Sequence, residues 1–204
     1  MVNAHIRSGS PLGRTLSLIE APNSSLRFLI LDCPTESTLP FYLDEFKRYN
    51  VTDVVRCCQE TYSANTLANE GITVHDMPFK DGGLPPANLV REWIGLVDSQ
   101  EQKVKDNEAL RPTIAVHCVA GLGRAPVIVA IALIELGMEP LDAVAYIRTK
   151  RRGAFNKPQI SYLDTYKRIW KTKSSSSSTS SLKFSLGKMF KFGAKKQQEV
   201  QPIH

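Results

Sequence analysis

Apolar positions along the chain recur with two periods, and the two kinds of block alternate. Short runs of strand type occur at Arg14–Glu20, Arg27–Leu31, Asp53–Cys57, Ile72–His75 and Thr113–His117. Between them lie stretches with helical spacing. Thr38–Tyr49 sets Leu39, Leu43 and Phe46 at i, i+4 and i+7, and Pro40 suits a first helical turn. Thr61–Glu70 predicts a short helix with Leu67 turned inward and Gly71 as its stop. Pro86–Lys103 places Leu89, Trp93, Leu96 and Val97 on one side. Arg124–Leu136 is strongly apolar and reads as a buried helix, followed by two more over Leu141–Lys150 and Lys157–Trp170. The Gly- and Pro-rich stretch Pro78–Pro86 (PFKDGGLPP) predicts a loop. This alternation predicts an α/β domain with a central, mostly parallel sheet between helices.

The texture changes after Lys173. Ser174–Ser181 is almost pure Ser, a composition that makes a linker and cannot pack. The expected organisation is a flexible N-terminus over 1–13, one domain over 14–173, a linker over 174–181 and a basic tail over 182–204. The chain has 204 residues, 42% of them apolar, enough for one ordinary core. Of 26 Lys and Arg and 20 Asp and Glu, seven Lys and one Glu fall in 171–204, which leaves 19 of each sign before it. The positive charge therefore belongs to the tail. A neutral folded part argues against a nucleic-acid-binding domain.

Four cysteines occur, Cys33, Cys57, Cys58 and Cys118, with no Cys-x-x-Cys pair. No metal site and no cofactor are expected from that spacing. The first 14 residues lack the apolar core of a signal peptide, and no run of 18 apolar residues exists. Free thiols in a cytoplasmic setting are the expectation. Val2 speaks against N-myristoylation, and the final Gln-Pro-Ile-His speaks against prenylation.

One constellation carries chemistry. From Val116 the chain reads VHCVAGLGRAP, with Cys118 six positions before Arg124, after a strand and at the start of a helix. The turn Val119, Ala120, Gly121, Leu122, Gly123 can aim successive backbone N–H groups into one concavity, because its glycines leave room. The helix start adds positive potential. Arg124 can grip two phosphate oxygens through its planar fork, which Lys cannot do equally well. Helix N-termini and cations also favour thiolates, so Cys118 is the expected nucleophile in a two-step covalent phosphoryl transfer. A bare Cys-x5-Arg arises by chance in about one chain in ten, and fixing His117, Gly121 and Gly123 cuts that roughly ten-thousandfold. The leaving oxygen needs a proton from a carboxylic acid. Asp81, before the hinge-like Gly82–Gly83, is the first candidate; Asp76 is the alternative, and Asp-Gly is also an ordinary turn pair.

VHCVAGLGRAPV, followed by RRGAFN at Arg151–Asn156, closely resembles the phosphatase-of-regenerating-liver (PRL) family, a branch of the dual-specificity protein tyrosine phosphatases. VVRCCQETY (Val54–Tyr62) and DMPFKDGGLPP (Asp76–Pro86) match in order and spacing, so the resemblance spans about residues 14–170. It implies the dual-specificity phosphatase fold, with Cys118 as nucleophile, Arg124 as phosphate binder and Asp81 as general acid. It also implies Cys58 as a redox partner that forms a reversible disulfide with the nucleophile; burial in the core is the other reading of Cys58. Ala125 stands where most of the superfamily has a hydroxyl that helps the thiolate leave, which implies a slow second step. The implied substrates are phosphoproteins, at phosphotyrosine and as further candidates phosphoserine and phosphothreonine. The family also binds CNNM-type magnesium transporters through the same pocket, which gives a second reading as a binding module. Three departures count: Lys80 replaces an acidic residue, Met77 replaces an aromatic, and no cysteine follows Cys118 for prenylation. Lipid phosphatase ranks last, because the five residues between Cys118 and Arg124 are uncharged.

The tail has two readings. Leu182, Leu186, Met189 and Phe190 share a helical side among Lys183, Lys188, Lys191, Lys195 and Lys196. That pattern suits reversible attachment to an anionic surface, at the inner face of the plasma membrane or on endosomes. It equally suits a solvated disordered tail.

Overall fold

Among the described residues, five strands build one sheet. In chain order they are β1 (Ser17–Glu20), β2 (Arg27–Leu31), β3 (Val51–Arg56), β4 (Thr73–Asp76) and β5 (Thr113–His117), and in space they lie β1-β2-β5-β3-β4. Strands β2, β5, β3 and β4 run parallel, and β1 pairs antiparallel with β2 at the edge. The β1–β2 connection is too short for the crossover that a parallel pair needs. Strand β5 is flanked on both sides and buried on both faces, which is why its sequence is an unbroken apolar run. This computed structural model describes residues 15–22, 24–107 and 109–169. The N-terminus 1–13, Trp170, the Ser-rich linker and the basic tail lie outside the described residues.

Among the described residues, six helices cover the sheet: α1 (Leu39–Arg48), α2 (Ala64–Ala68), α3 (Ala87–Asp106), α4 (Arg124–Glu135), α5 (Pro140–Lys150) and α6 (Lys157–Asp164). Alternation along the strands sorts the core into two layers. Leu29, Leu31, Val54 and Ala115 face α1 and α2, meeting Leu39, Tyr42, Phe46 and Leu67. Phe28, Ile30, Val55, Ile114 and Val116 face the other way, toward Trp93 and the helices from α3 to α6. Every residue of α4 is buried, and its apolar circumference has neighbours all round. Each large aliphatic side chain buried there contributes about 1.5–3 kcal/mol. Trp93 of α3 fixes the α3–α4 contact by donating its indole N–H to the Ile128 carbonyl at 2.6 Å.

Several boundaries differ from the sequence expectation, three of them with a clear physical cause or irregularity. Helix α6 stops at Asp164 and does not run to Trp170. Buried Glu135 is the reason: its carboxylate accepts from the Tyr166 hydroxyl at 2.6 Å and the Ile169 amide at 2.8 Å, bonds that a continued helix could not supply. Helix α2 is shorter than Thr61–Glu70, because Ser63 caps it and Thr61 and Tyr62 serve the neighbouring site instead. Strand β3 begins at Val51, with an irregularity between Val51 and Asp53.

Candidate active site

The chemistry sits at the C-terminal edge of the sheet, where β5 leads into α4. Leu31 and Arg56 both pair with His117, so the three central strands end level. Side-chain alternation then sorts the residues at the strand ends. His117 continues the face that carries Ala115, and Cys118 falls on the opposite face with Cys57. Cys118 is 2% exposed, below the loop Val119–Gly123.

The loop carbonyls are all bound from outside. The Val119 carbonyl accepts from the Cys33 amide at 3.0 Å, and the Leu122 carbonyl accepts from the Phe155 amide at 2.8 Å. The guanidinium of Arg151 takes the two between them, bonding the Ala120 carbonyl through Nη2 at 3.0 Å and the Gly121 carbonyl through Nε at 2.6 Å. No described peptide bond is cis. In a trans peptide the N–H points opposite to the C=O. Outward carbonyls at 119–122 therefore turn the amides of Ala120, Gly121, Leu122 and Gly123 inward, and no described residue accepts from them. Gly121 permits this with φ +66°, and a Cβ there would run into the Leu31 carbonyl and the Arg151 guanidinium. The amide cluster expected from the sequence is thus present, and its scaffold is Arg151.

Arg124, at the first turn of α4, is 6% exposed. Its Nη1 donates to the carbonyls of Cys57 at 3.1 Å and Phe79 at 3.2 Å, which fixes the plane of the fork. Its Nε is buried without a hydrogen-bond partner. Asp81 Oδ1 lies 3.1 Å from that Nε, within ion-pair range, but the N–H is not aimed at it. A buried guanidinium donor left open is costly unless a ligand takes it.

The two acid candidates separate clearly. Asp76 is engaged by Arg56 through two bonds of 2.6 and 2.7 Å, and those bonds hold its carboxyl below the usual range. A carboxylate so held is a poor proton donor. The side chain of Asp81 is 83% exposed and stands beside Arg124. Its loop is held from α6. Asn156 donates to the Gly82 carbonyl at 2.9 Å and Gln159 to the Gly83 carbonyl at 3.1 Å. The same two residues form the capping box that starts α6.

Cys58 stands close enough to Cys118 and Arg124 to feel their charges. Its sulfur lies 3.7 Å from that of Cys33 and 3.8 Å from His117 Nδ1, on the α1–α2 face. Burial pushes its thiol up to about 12. All four cysteines are free thiols. His117 is fully buried, its Nε2 is 2.8 Å from the Tyr62 hydroxyl, and burial lowers its pKa to about 4, so the ring is neutral. Sequence reasoning did not assign roles to Arg151, Asn156, Gln159, Tyr62 or Cys33. For Asn156 and Gln159 the Asn-x-x-Gln spacing ahead of an apolar run was a readable signal. For Arg151 and Cys33 no local signal exists, because their partners are distant in the chain.

No family model matches the chain. Curated relatives do. It is 54% identical over 162 residues to the probable protein tyrosine phosphatase type IVA A of Dictyostelium discoideum, covering 79% of this chain and 92% of that one. It is 49% identical over 149 residues to human protein tyrosine phosphatase type IVA 3, covering 73% and 83%. Among solved structures, a putative protein tyrosine phosphatase from Leishmania major superposes with a TM-score of 0.70 at 41% identity, covering 75% of this chain and 99% of that one. The strand order, the amide cluster over Cys118 and these relatives agree: the chain belongs to the protein tyrosine phosphatase type IVA (PRL) family, cysteine-based protein-tyrosine phosphatases with the dual-specificity fold.

Proposed function

We propose that this phosphatase works through a phosphocysteine at Cys118 and that the second of its two steps is slow. In the first step the sulfur attacks phosphorus, the bond to the tyrosine oxygen breaks, and Asp81 gives that oxygen its proton. In the second, water attacks phosphorus, the S–P bond breaks, and Asp81 takes the proton from the water. The inward amides and the open Nε of Arg124 hold the phosphoryl oxygens in both steps. One observation carries this reading: outward-bonded loop carbonyls stand over Cys118 beside a guanidinium whose buried Nε has no hydrogen-bond partner. Ala125, fully buried at the start of α4, offers no hydroxyl to the departing sulfur. Stopped-flow turnover of an aryl phosphate tests the slow step. The expected trace is a burst and then slow release, with faster release in Ala125→Ser; equal burst and steady rates in the unaltered protein would contradict it.

A second reading uses the same cradle to bind an acidic loop of a CNNM-type magnesium transporter. Exposed Val119 and Leu122 at the mouth, 62% and 40% accessible, support it by offering apolar contact around an anion site. Here affinity for the transporter's cytoplasmic domain should be the same for Cys118→Ser as for the unaltered protein. Attachment to membranes is assigned to the basic segment 182–204. Removal of residues 174–204 should abolish co-sedimentation with vesicles rich in anionic lipid at low salt, and unchanged co-sedimentation would remove the idea.

A further inference from the structure

Folding brings together three soft ligand atoms that the sequence scatters. Cys33 follows β2, Cys58 follows β3 and His117 ends β5, and the register of these neighbouring strands puts all three side chains on one face of the sheet edge. The sulfurs of Cys33 and Cys58 are 3.7 Å apart, and the Cys58 sulfur is 3.8 Å from His117 Nδ1. All three ligand atoms lie within 4.8 Å of one another. Around a tetrahedral zinc ion with ordinary bond lengths, two thiolates sit about 3.8 Å apart and a thiolate and an imidazole nitrogen about 3.6 Å apart. Two of the three edges already have tetrahedral length, and the third closes through movement of half-buried Cys33.

We propose that Cys33, Cys58 and His117 form a binding site for a thiophilic divalent cation, zinc above all, separate from the catalytic sulfur. The surrounding groups support the assignment. The hydroxyl of Tyr62 lies 2.8 Å from His117 Nε2, so it can accept the Nε2 proton and leave the Nδ1 lone pair for the metal. The backbone of Cys118 also engages the His117 ring, and metal binding displaces that contact. Thr61 Oγ1 lies 3.1 Å from the Cys33 sulfur and can orient it. Cys33 is partly exposed, which provides access and leaves the fourth position to water. Binding releases two thiol protons, and two thiolates neutralise the dication. The nearby Arg56 charge is already met by Asp76. The sequence argued against metal because it holds no Cys-x-x-Cys pair and few soft ligands beside His117 and Cys118; the parallel strands bring Cys33 and Cys58 together across 25 positions.

The test is a titration of the reduced full chain with Cd²⁺ and, against a competing chelator, with Zn²⁺. Cd²⁺ bound to sulfur adds a thiolate-to-metal charge-transfer band in the ultraviolet. The expected result is one ion per chain with that band, kept in Cys118→Ser. In Cys33→Ser and in Cys58→Ser the band is lost and affinity falls by more than about a hundredfold, since each removes one of three protein ligands. Tyr62→Phe weakens binding by about 10–100-fold. Unchanged affinity in Cys33→Ser would overturn the proposal. So would loss of binding in Cys118→Ser alone, which would put the ion on the catalytic sulfur. So would failure of the reduced protein to bind, with Cys33 and Cys58 found joined as a disulfide after air exposure.

Discussion

Arg151 shows how much of the site depends on a residue that never meets substrate. Its guanidinium bonds two loop carbonyls and also the Thr15 carbonyl at 2.7 Å, tying the loop to the segment before β1. Lysine keeps the charge but cannot make the planar pair of bonds to Ala120 and Gly121. Arg151→Lys should therefore lower the single-turnover rate by about a hundredfold, the cost of small misplacement in a preorganised site. Inorganic phosphate should also bind more weakly, while urea denaturation reports a smaller stability loss than for Arg151→Ala. His117 makes a different prediction. Its folded pKa of about 4 lies below the usual 6.5, so between those values the unfolded chain binds the extra proton. Stability then rises with pH across that window and is lost as pH falls from 6.5 toward 4, by on the order of 3 kcal/mol. Denaturant midpoints measured across about pH 4–7 should show that slope, and His117→Gln should flatten it.

At the scale of elements, α6 performs two tasks with one cap. Asn156 and Gln159 start the helix and, through their other side-chain atoms, hold Gly82 and Gly83 behind the proposed acid. Removing the cap in Asn156→Ala should cost about 1 kcal/mol in unfolding free energy. It should also loosen the Asp81 loop. Protonation matters most when the leaving group is poor, so kcat/KM should fall more for phosphotyrosine than for a nitrophenyl-type phosphate. An equal fall for both would show that the α6 contacts do not position the acid.

At the scale of the molecule, the parallel sheet and the signature loop were legible because both rest on local patterns. Periodicity marked Arg27–Leu31 and Thr113–His117 as strands and Arg124–Leu136 as a buried helix, and Gly121 and Gly123 between Cys118 and Arg124 marked the turn. What stayed hidden was long-range. Glu135 ends α6 early by recruiting Tyr166 and Ile169, and Arg151 reaches across the fold to residues 15, 120 and 121. Neither has a sequence period. The Arg56 bonds that occupy Asp76 were hidden for the same reason, since 20 positions separate the two residues.

The central claim is that the sulfur of Cys118 takes the phosphoryl group covalently. Rapid acid quench during aryl phosphate turnover, followed by intact mass and peptide mapping, tests it most directly. The expected result is a chain heavier by one phosphoryl group, mapped to Cys118, accumulating in the unaltered protein and absent from Cys118→Ser. Product released at full rate with the chain mass unchanged throughout, or the added group found on another residue, would contradict it.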